Sequence, residues 1–434
     1  MASALKYLAP NKEMPVAVCK IAIVGFGTVG SAVARLLLTR NDEHPIELTH
    51  IYNRNVSRKK VDWVPDTVVW TEDIDTVLGS DVDVVVELMG GIEPANQWIR
   101  RALLSGKSVV TANKQLIAHH GVELRKLARE QQQHLAYGAS VAGGVPVLGG
   151  LHDGLGGDRL HRIFGVLNGT CNYILTRIER TGASFAEALA EAQKAGFAEA
   201  DPTDDVDGFD ARAKLVILAQ EGLNARVEPS QIPCKTIRSL AKVDFDYAHQ
   251  INCTIRQVSR AELKNGKLYA SIGPALVSRT SPIASTSGSQ NMVVSSGEFG
   301  GEIVFSGAGA GGDPTAVAVV SDLLHVVRYR DMGIPEPDRP PLATIEVSND
   351  FVTPQYVRFT IKDRPGVIAE LSAVFARHGL NIDSVLQKPE CPKDDLPFLM
   401  TFEACPESQL TAALEDVSGF DFLQSAPVHM PILG

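Results

Sequence analysis

Cysteine is scarce in this chain and is never arranged for metal binding. Six cysteines are spread over 434 residues, with no CxxC pair and no metal-ligand spacing to histidine. This argues against a zinc-ribbon type of site and against a scaffold held together by disulfides. We therefore expect reduced and mostly buried thiols. The cysteines are Cys19, Cys171, Cys234, Cys253, Cys391 and Cys405.

Long apolar runs and an excess of basic residues are also missing. No apolar run reaches about 18 uninterrupted residues, and residues 1–15 lack the apolar core of a signal peptide. Lys and Arg number 41 against 51 Asp and Glu, a net charge of −10 that disfavours nucleic-acid and membrane partners. We expect a cytoplasmic protein whose partner is a small molecule, with no nucleic acid and no membrane.

The chain does have enough apolar sequence for several domains. Hydrophobic residues make up 44% and charged residues 21% of the total, and 434 residues exceed what one core usually supports. Between about residues 16 and 136, apolar runs at 19–24, 48–52, 84–88 and 108–111 alternate with amphipathic segments. The alternation predicts an α/β domain with a parallel sheet covered by helices.

A glycine-rich loop follows the first of these predicted strands and leads directly into a helical pattern. In a strand–GxGxxG–helix arrangement, the glycines permit a tight turn, close approach of a pyrophosphate and close helix–strand packing. The order predicts a Rossmann-type dinucleotide-binding domain, with a plain glycine-rich turn as the alternative. The loop residues are Gly25, Phe26, Gly27, Thr28, Val29 and Gly30.

The residues after the second predicted strand bear on the choice of cofactor. NAD-binding proteins usually carry an Asp or Glu about 20 residues beyond the glycines, where it binds the ribose 2′-hydroxyl. No acid occurs between Leu48 and Val61, and Arg54 is followed by Arg58, Lys59 and Lys60. Cations there favour the 2′-phosphate of NADP, although NAD remains possible. The alternative is a solvated basic loop.

Two further domains are predicted after the first. Residues 138–306 combine helical patterns at 185–195 and 210–222 with strand-like runs at 267–272, 275–279 and 302–305, which predicts an α+β domain.

The sequence pattern of residues 307–333 predicts a loop followed by a helix that packs back on the first domain. The first domain then comprises residues 1–137 and 307–333. A proline-rich linker is predicted at 334–351, before a last domain at 352–434. This domain has a ferredoxin-like βαββαβ order. Its strands are predicted at 356–361, 382–387, 398–403 and 422–426, and its helices at 366–378 and 407–415.

Several segments together resemble the homoserine dehydrogenase family, and the match runs through nearly the whole chain. They are VVELMGGIEP at 85–94, GKSVVTANK at 106–114, LNGTCNYI at 167–174, GFAEADP at 196–202 and DVDGFD at 205–210, followed by Lys214. The resemblance implies reduction of L-aspartate 4-semialdehyde to L-homoserine with NADPH or NADH. This reaction stands at the branch that leads to threonine, isoleucine and methionine.

The resemblance also implies roles for individual residues. Hydride transfer to an aldehyde builds negative charge on oxygen, so a proton donor or cation must lie within reach of it. Lys214 is the implied general acid, Lys114 a second catalytic candidate, and Asp210 orients Lys214. The plain alternative is an ordinary salt bridge between Asp210 and Lys214, which are four residues apart on one helical face.

Further positions match the family's binding sites. Glu199, Asp210 and Gly196 are implied in substrate binding, where acids hold the ammonium group. The turn at 168–170 either offers backbone N–H groups or caps a helix, and Gly311 either lets backbone approach the nicotinamide or belongs to a glycine-rich hinge.

The family's monovalent-cation site is altered here. The family often has a glutamate at the position of Gly138, which helps bind the cation together with backbone carbonyls. In this chain the carbonyls of Val141, Gly143 and Val145 remain as ligands for Na⁺ or K⁺. Without the carboxylate the site is expected to bind more weakly, or to hold a water in its place.

Residues 352–434 resemble an ACT domain. Asp363-Arg364-Pro365-Gly366 forms a turn ahead of a helix, and paired ACT domains often bind an amino acid beside such a turn. The resemblance implies feedback inhibition by an amino acid such as threonine, and a homodimer or homotetramer. The alternative is an ACT domain that serves only oligomerisation.

Two competing functions have less support from the sequence than homoserine dehydrogenase activity. A 2-hydroxy-acid dehydrogenase with an ACT domain would need a catalytic histidine, yet none lies between His161 and His249. A catalytically inactive amino-acid sensor would show degenerate glycines or a missing lysine, yet Gly25, Gly27, Gly30 and both lysines are present.

Overall fold

The structure is a computed structural model that describes residues 18–39, 46–337, 340–388 and 392–433. The chain separates into two compact units. Unit one comprises residues 1–113, 120–137 and 316–338, and unit two comprises 114–119, 138–315 and 339–434. The opening stretch, Cys391 and positions 338–339 of the predicted linker lie outside the described residues.

Unit one contains a six-stranded parallel sheet. Its order, β3-β2-β1-β4-β5-β6, is that of a dinucleotide-binding Rossmann sheet and confirms the predicted fold class. Strands β4 and β5 are buried along their whole length, as expected where helices cover both faces. The strands are β1 (Cys19–Val24), β2 (Ile46–Tyr52), β3 (Val69–Thr71), β4 (Val84–Glu87), β5 (Ser108–Thr111) and β6 (Leu135–Ala136).

The helices of this region connect successive strands of the sheet. Helix α1 follows the glycine loop directly, and α5 begins at Lys114, three residues beyond the end of β5. The helices are α1 (Thr28–Thr39), α2 (Val56–Lys59), α3 (Ile74–Leu78), α4 (Ala95–Leu104) and α5 (Lys114–Glu130).

Unit two begins with a largely helical stretch. Helix α8 has a capping box in which Ser184 and Glu187 exchange hydrogen bonds, which fixes its start. The helices are α6 (Val147–Gly149), α7 (Gly169–Thr181), α8 (Phe185–Lys194), α9 (Thr203–Val206), α10 (Phe209–Gly222) and α11 (Lys242–Gln250). A later helix, α12 (Gly312–Asp331), starts in unit two and continues into unit one from residue 316.

Residues 138–306, which were predicted as an α+β domain and are called the catalytic part below, contain most of a five-stranded antiparallel sheet in the order β12-β11-β7-β9-β10. Its strands are β7 (Leu160–Val166), β9 (Cys253–Lys264), β10 (Lys267–Ser278), β11 (Gln290–Gly297) and β12 (Gly301–Ala308), and a short β8 (Ala225–Arg226) lies outside it.

One prediction in this sheet was wrong: the runs 267–272 and 275–279 form the single strand β10. Its outer edge faces no neighbouring strand at Pro274, because β14 (Glu346–Ser348) pairs only with Lys267–Tyr269 and β18 (Val428–Leu433) only with Leu276 and Val277. Ile272 bonds outward to Pro233 and Lys235, so alternation turns the Pro274 nitrogen to that same open side. Proline is tolerated where no ladder hydrogen bond is required.

Two short strands lie inside the stretch that was predicted as a linker. Strand β13 (Ala343–Thr344) pairs with β8, and β14 pairs in parallel with β10. This stretch is therefore attached to the catalytic part rather than extended freely between domains.

The C-terminal part has the predicted βαββαβ order and the ferredoxin-like strand order β18-β15-β17-β16. Its remaining elements are β15 (Val352–Ile361), α13 (Val367–Arg377), β16 (Ile382–Gln387), β17 (Leu396–Pro406) and α14 (Glu407–Val417).

The last strand of this part was predicted at 422–426, and that was wrong. Residues 428–433 form β18 instead, whereas Phe422 is a buried core residue in a turn and Leu423 makes only an isolated bridge to Ile361. Burial of aromatic side chains, rather than strand pairing, explains that apolar run.

Strand β18 joins the ferredoxin-like part to the catalytic sheet. It pairs with β15 on one side and in parallel with β10 on the other, so the strands form one continuous sheet. Buried Asp244 of α11 reinforces the junction, since it accepts hydrogen bonds from Tyr356 Oη at 2.8 Å and Arg358 Nε at 2.7 Å. A buried carboxylate needs such partners, and here both come from β15.

The described cysteines are all free thiols, and all are buried except the half-buried Cys234. Burial raises the pKa of Cys19 to about 12 and that of Cys171 well above its usual value. These thiols are therefore poor nucleophiles at neutral pH.

Candidate active site

Helix α10 is buried over most of its surface, and two of its charged residues, Asp210 and Lys214, are among its buried positions. The helix begins after Gly208, whose φ of 87° is in the left-handed region. A Cβ at this position would lie 3.0 Å from Cγ2 of Ile272, so both the conformation and the space require glycine. The turn places Asp210 and Lys214 one helical turn apart on the same face.

Asp210 is shared by two lysines. Its Oδ2 lies 2.7 Å from Lys214 Nζ, and its Oδ1 lies 2.9 Å from Lys114 Nζ at the start of α5. Lys214 is 8% exposed and Asp210 is 7% exposed, so this contact is no ordinary surface salt bridge. The structure brings together all three residues for which the sequence suggested a catalytic role.

The electrostatics of the cluster follow from burial and from the two cations. Burial by itself would raise the pKa of Asp210, but the ammonium groups of Lys214 and Lys114 outweigh it and hold the pKa well below its usual range. The nearby Asp210 carboxylate in turn raises the pKa of Lys114, against the opposing effect of burial. The cluster therefore holds one carboxylate between the amino groups of two lysines.

Asn168, for which the sequence suggested at most a role as a helix cap, is a further residue of this site. Its amide Nδ2 donates to Asp210 Oδ2 at 2.9 Å and to Asp205 Oδ1 at 2.6 Å, while its Oδ1 caps α7 by accepting from Cys171 N. Asp205 is partly buried, and burial raises its pKa. The turn at 168–170 had been singled out in the sequence, and the structure shows that its first residue caps the helix and also positions Asp210.

Backbone and amide groups complete the surroundings of Lys214. The carbonyl oxygen of Leu167 accepts from Lys214 Nζ at 2.8 Å and from Asn291 Nδ2 at 2.9 Å. Asn291 packs against Gly309, where a Cβ would lie 1.9 Å from the amide carbon. This explains a glycine in the 307–311 loop, and no sequence pattern pointed to Asn291.

The structure does not connect Glu199 or Gly196 to the lysine cluster by a hydrogen bond or ion pair among the described residues. Glu199 is exposed, and Gly196, with a φ of 77°, follows the end of α8. Their loop is nevertheless tied to the first turn of α7, because Thr170 Oγ1 donates to the carbonyl of Phe197 at 2.6 Å. The loop is thus anchored two residues from Asn168.

The glycine loop of unit one has the geometry that its motif predicts. Gly25 has a φ of 107°, and a Cβ there would lie 2.8 Å from the backbone of Leu88. A Cβ at Gly30 would lie 2.0 Å from the Gly25 carbonyl oxygen, whereas one at Gly27 would meet no atom within 4 Å. Phe26 is buried against Trp70, and Thr28 and Val29 open α1. Space therefore remains at Gly27, beside the N-terminus of α1, for a pyrophosphate.

Alanine substitutions separate the two roles of these glycines. We expect Gly30→Ala to lower the free energy of unfolding by about 1–3 kcal/mol, because the backbone must move to admit the methyl group. Gly27→Ala should leave the melting temperature of the ligand-free protein unchanged but weaken NADPH binding by on the order of tenfold. Thermal melts and fluorescence titration with NADPH measure both effects. Equal destabilisation by the two substitutions would contradict this interpretation.

Glu87, the last residue of β4, is a buried carboxylate to which the sequence assigned no role. It is 1% exposed and accepts hydrogen bonds from Thr111 Oγ1 at 2.6 Å and from Met89 N at 2.8 Å. Burial raises its pKa. It fixes the loop at the carboxyl end of the central strands, the end at which Rossmann sheets bind ligands.

The loop after β2 exposes several cations. Arg54, Arg58, Lys59 and Lys60 are all exposed, and Arg54 forms no ion pair with any residue that the structure describes. One acid lies nearby, since Glu72 accepts from Val56 N at 2.7 Å.

The segment 141–145 of unit two, where the sequence suggested a cation site, contains backbone in the left-handed region. Ala142 and Gly143 have φ values of 54° and 52°, and a Cβ at Gly143 would lie 2.6 Å from the Gly309 carbonyl oxygen. The carbonyls of Val141 and Gly143 accept no hydrogen bond within the described residues, whereas that of Val145 accepts from Val147 N at 2.7 Å.

The backbone at position 311 has a φ of 123°, which glycine adopts readily and any other residue would adopt only with strain. Within the described ranges, no cluster of His, Cys, Asp and Glu side chains is suited to hold a metal ion, and no helix is long and apolar enough to cross a membrane.

Three family models match the chain. Residues 25–138 match the model described as homoserine dehydrogenase, NAD binding domain; residues 146–324 match homoserine dehydrogenase; and residues 355–419 match the ACT domain.

Relatives that carry the name homoserine dehydrogenase are similar over most of the chain. One from Synechocystis sp. is 35% identical, over 95% of this chain and 99% of its own length. One from Mycobacterium tuberculosis is 39% identical, over 87% of this chain and 88% of its own.

Among solved structures, a homoserine dehydrogenase from Thiobacillus denitrificans superposes with a TM-score of 0.89 at 29% identity, covering 96% of this chain and 98% of that one. A hyperthermophilic archaeal homoserine dehydrogenase mutant in complex with NADPH has a TM-score of 0.63 at 27% identity, covering 75% and 100%.

The Rossmann sheet, the buried lysine–aspartate cluster and the ferredoxin-like part together define a nicotinamide-dependent oxidoreductase with an ACT domain. The similar proteins identify the family to which this oxidoreductase belongs. The chain belongs to the homoserine dehydrogenase family.

Proposed function

We propose that this chain reduces L-aspartate 4-semialdehyde to L-homoserine with NADPH, in the synthesis of threonine, isoleucine and methionine. The supporting observation is the buried cluster of Lys114, Asp210 and Lys214. A surface salt bridge would not need a buried lysine and a second, half-buried lysine around one buried carboxylate. Stabilisation of a developing alkoxide, in contrast, needs a charged donor in a site shielded from water.

The hydrogen bonds of Lys214 leave one donor for the substrate. A bound nicotinamide would supply the hydride, and the chain must then stabilise and protonate the carbonyl oxygen. An ammonium group has three N–H donors, and Lys214 uses two of them on Leu167 O and Asp210 Oδ2. The third is available to the substrate oxygen. Asp210 holds Lys214 in place for this transfer, and Asn168 in turn holds Asp210.

Substrate binding needs groups for the α-ammonium and the α-carboxylate. We assign the ammonium to Glu199, whose exposed carboxylate bonds to no described residue, with Asp210 and the backbone at Gly196 as further contacts. Lys114 has one ion-pair partner among the described residues, Asp210, and so retains N–H donors for the substrate or the cofactor.

The direct test is oxidation of NADPH by the purified protein with L-aspartate 4-semialdehyde, followed by chromatographic detection of homoserine. Turnover that yields homoserine supports the proposal. An absence of turnover with both NADPH and NADH, in a protein that binds them, would favour an inactive amino-acid sensor instead.

We propose NADP over NAD as the preferred cofactor because of the exposed cations after β2, of which Arg54 lacks an ion-pair partner among the described residues. A guanidinium group matches a phosphate through paired hydrogen bonds. A structural relative in complex with NADPH is consistent with this choice.

Replacing Arg54 by alanine is expected to lower kcat/KM for NADPH by about tenfold and to leave that for NADH nearly unchanged, since only NADPH carries the 2′-phosphate. Steady-state rates with both cofactors give the ratio. The matched control is Lys126→Ala, which removes an exposed cation of α5. Equal losses with NADPH and NADH in the Arg54 variant would exclude recognition of the phosphate.

We also propose a weak monovalent-cation site, for Na⁺ or K⁺, at the carbonyls of Val141 and Gly143, with Val145 as a third ligand. The first two lack hydrogen-bond donors among the described residues, and hard cations take such oxygens. The missing carboxylate at Gly138 agrees with weak rather than tight binding.

Finally, we propose a cytoplasmic homodimer or homotetramer that is regulated by an amino acid such as threonine. Edge strand β12 exposes Ile303 and Val304, and Phe299 just before it is 84% exposed. An apolar edge strand of this kind is usually covered in the assembled protein. The ACT domain supports regulation by an amino acid.

A further inference from the structure

Asn291, the second residue of β11, is a buried side chain that holds the backbone beside Lys214. The backbone pairing of β11 with β7 ends at Met292 and Val166. Asn291 and Leu167 therefore lie opposite each other, one position beyond the last pair. There the amide Nδ2 of Asn291 donates to the Leu167 carbonyl at 2.9 Å, and Asn291 is 1% exposed. A side-chain hydrogen bond thus continues the sheet where the backbone ladder ends.

The orientation of this amide is fixed by its neighbours. The Leu167 carbonyl can only accept, so Nδ2 of Asn291 rather than Oδ1 must face it. A Cβ at Gly309 would lie 1.9 Å from the amide carbon of Asn291. A Cβ at Gly143 would in turn lie 2.6 Å from the Gly309 carbonyl oxygen. The amide therefore packs against backbone that is itself closely packed, which leaves it little room to rotate.

The amide oxygen of Asn291 is buried and accepts no hydrogen bond from any residue that the structure describes. A buried acceptor without a donor is unfavourable for folding. An apolar side chain of similar shape would avoid this loss, because the Leu167 carbonyl would keep Lys214 as a donor. The contribution of Asn291 to stability is therefore small, which points to a role in the reaction.

Lys214 has two hydrogen-bond acceptors, and a side-chain amide holds each of them. Asn168 Nδ2 donates to Asp210 Oδ2 at 2.9 Å. Asn291 Nδ2 donates in the same way to the Leu167 carbonyl. Because an ammonium group is tetrahedral, two fixed N–H bonds also fix the direction of the third. A shift of the Leu167 carbonyl therefore turns the donor that we assigned to the substrate oxygen.

We propose that Asn291 is a positioning residue for the reduction, which acts through the Leu167 carbonyl to aim the third N–H of Lys214 at the substrate oxygen. The inference rests on the proposed function, in which Lys214 donates that proton. A misplacement of about 1 Å can slow a reaction about 100-fold. Negative charge develops on the oxygen only in the transition state, so the effect of Asn291 falls on kcat more than on KM.

The test compares Asn291→Leu with the wild type in steady-state reduction of L-aspartate 4-semialdehyde and in thermal melts. Leucine keeps the branched shape but removes both the donor and the unpaired oxygen. We expect kcat to fall by about 10- to 100-fold and KM to change by less than about threefold. The melting temperature should stay the same or rise, because no buried acceptor is left unpaired by the change.

Two further variants serve as checks. Asn291→Ala, which adds no bulk, should show the same fall in kcat and guards against a misfit of leucine. The matched control is Gln355→Met on β15, which removes another buried amide with an unpaired oxygen and should keep the wild-type kcat.

A double substitution shows whether Asn291 acts through Lys214. Adding Asn291→Leu to Lys214→Met should lower kcat by less than about twofold further, because no ammonium group remains to be aimed. An equal fall in both backgrounds would overturn the proposal, as would a wild-type kcat in Asn291→Leu. A wild-type protein that yields no homoserine would instead overturn the proposed function, and this inference with it.

Discussion

Replacing Lys214 by methionine should lower kcat by about 10²- to 10⁴-fold, the usual contribution of a positioned proton donor. Methionine keeps the unbranched apolar stem and removes the ammonium group, so the loss reports on charge and proton donation. The Lys214 ammonium is buried and has a donor left after its bonds to Leu167 O and Asp210 Oδ2. Asp210 remains paired with Lys114 in the variant, which limits the structural damage.

The measurement is steady-state reduction of L-aspartate 4-semialdehyde, with circular dichroism and thermal melts to confirm folding. Lys194→Met, at the exposed end of α8, is the matched control and should retain the wild-type rate. Lys114→Met, measured alongside, shows which lysine donates the proton. A folded Lys214→Met enzyme with a rate within threefold of the wild type would exclude Lys214 as the general acid.

Replacing Asp210 by asparagine should reduce both stability and activity. The substitution leaves two ammonium groups close together without their counter-ion, and breaking a buried ion pair by removing one partner costs about 3–5 kcal/mol. We therefore expect a fall of that size in the free energy of unfolding at pH 7, measured by urea denaturation. Asp204→Asn, on an exposed position of α9, should have little effect.

The pH dependence gives this prediction a second readout. Since the pKa of Asp210 is held below its usual value, its contribution to stability is complete above pH 3.8 and is lost as the pH falls through the lowered pKa. The stability gap between wild type and Asp210→Asn should therefore shrink in acid below pH 3.8. A gap of the same size at pH 7 and in strong acid would show that the carboxylate charge is not its cause.

The parts of the fold that the sequence predicted are those in which local pattern and tertiary role agree. Strands β1 and β5 are short apolar runs buried on both faces, and the glycine loop allows one local geometry. Strand β9 was not predicted because most of its length is buried although it carries polar residues such as Thr254, Arg256 and Gln257. These side chains hide the alternation on which strand prediction depends.

In the candidate site, too, the contacts that could be predicted are the local ones. Asp210 and Lys214 are four residues apart on one helix, so their contact was foreseeable, and an ordinary salt bridge was the competing interpretation. The sharing of Asp210 with Lys114 depends on residues far apart in the chain, and so do the contacts of Asn168 and Asn291. Neither asparagine has a local signal for such a role, because Asn168 has only the signal of a helix cap and Asn291 lies within strand β11.

The position of β18 between β10 and β15 has a consequence for how modular this protein is. A regulatory domain on a flexible tether can be cut away without harm to the catalytic domain. Here the backbone ladder crosses the boundary, and Asp244 would lose both Tyr356 and Arg358. Deleting the ACT part would leave Leu276 and Val277 of β10 without a neighbouring strand, and an unpaired strand edge is a template for aggregation. The proposed regulation by an amino acid is therefore better tested by point substitution than by truncation.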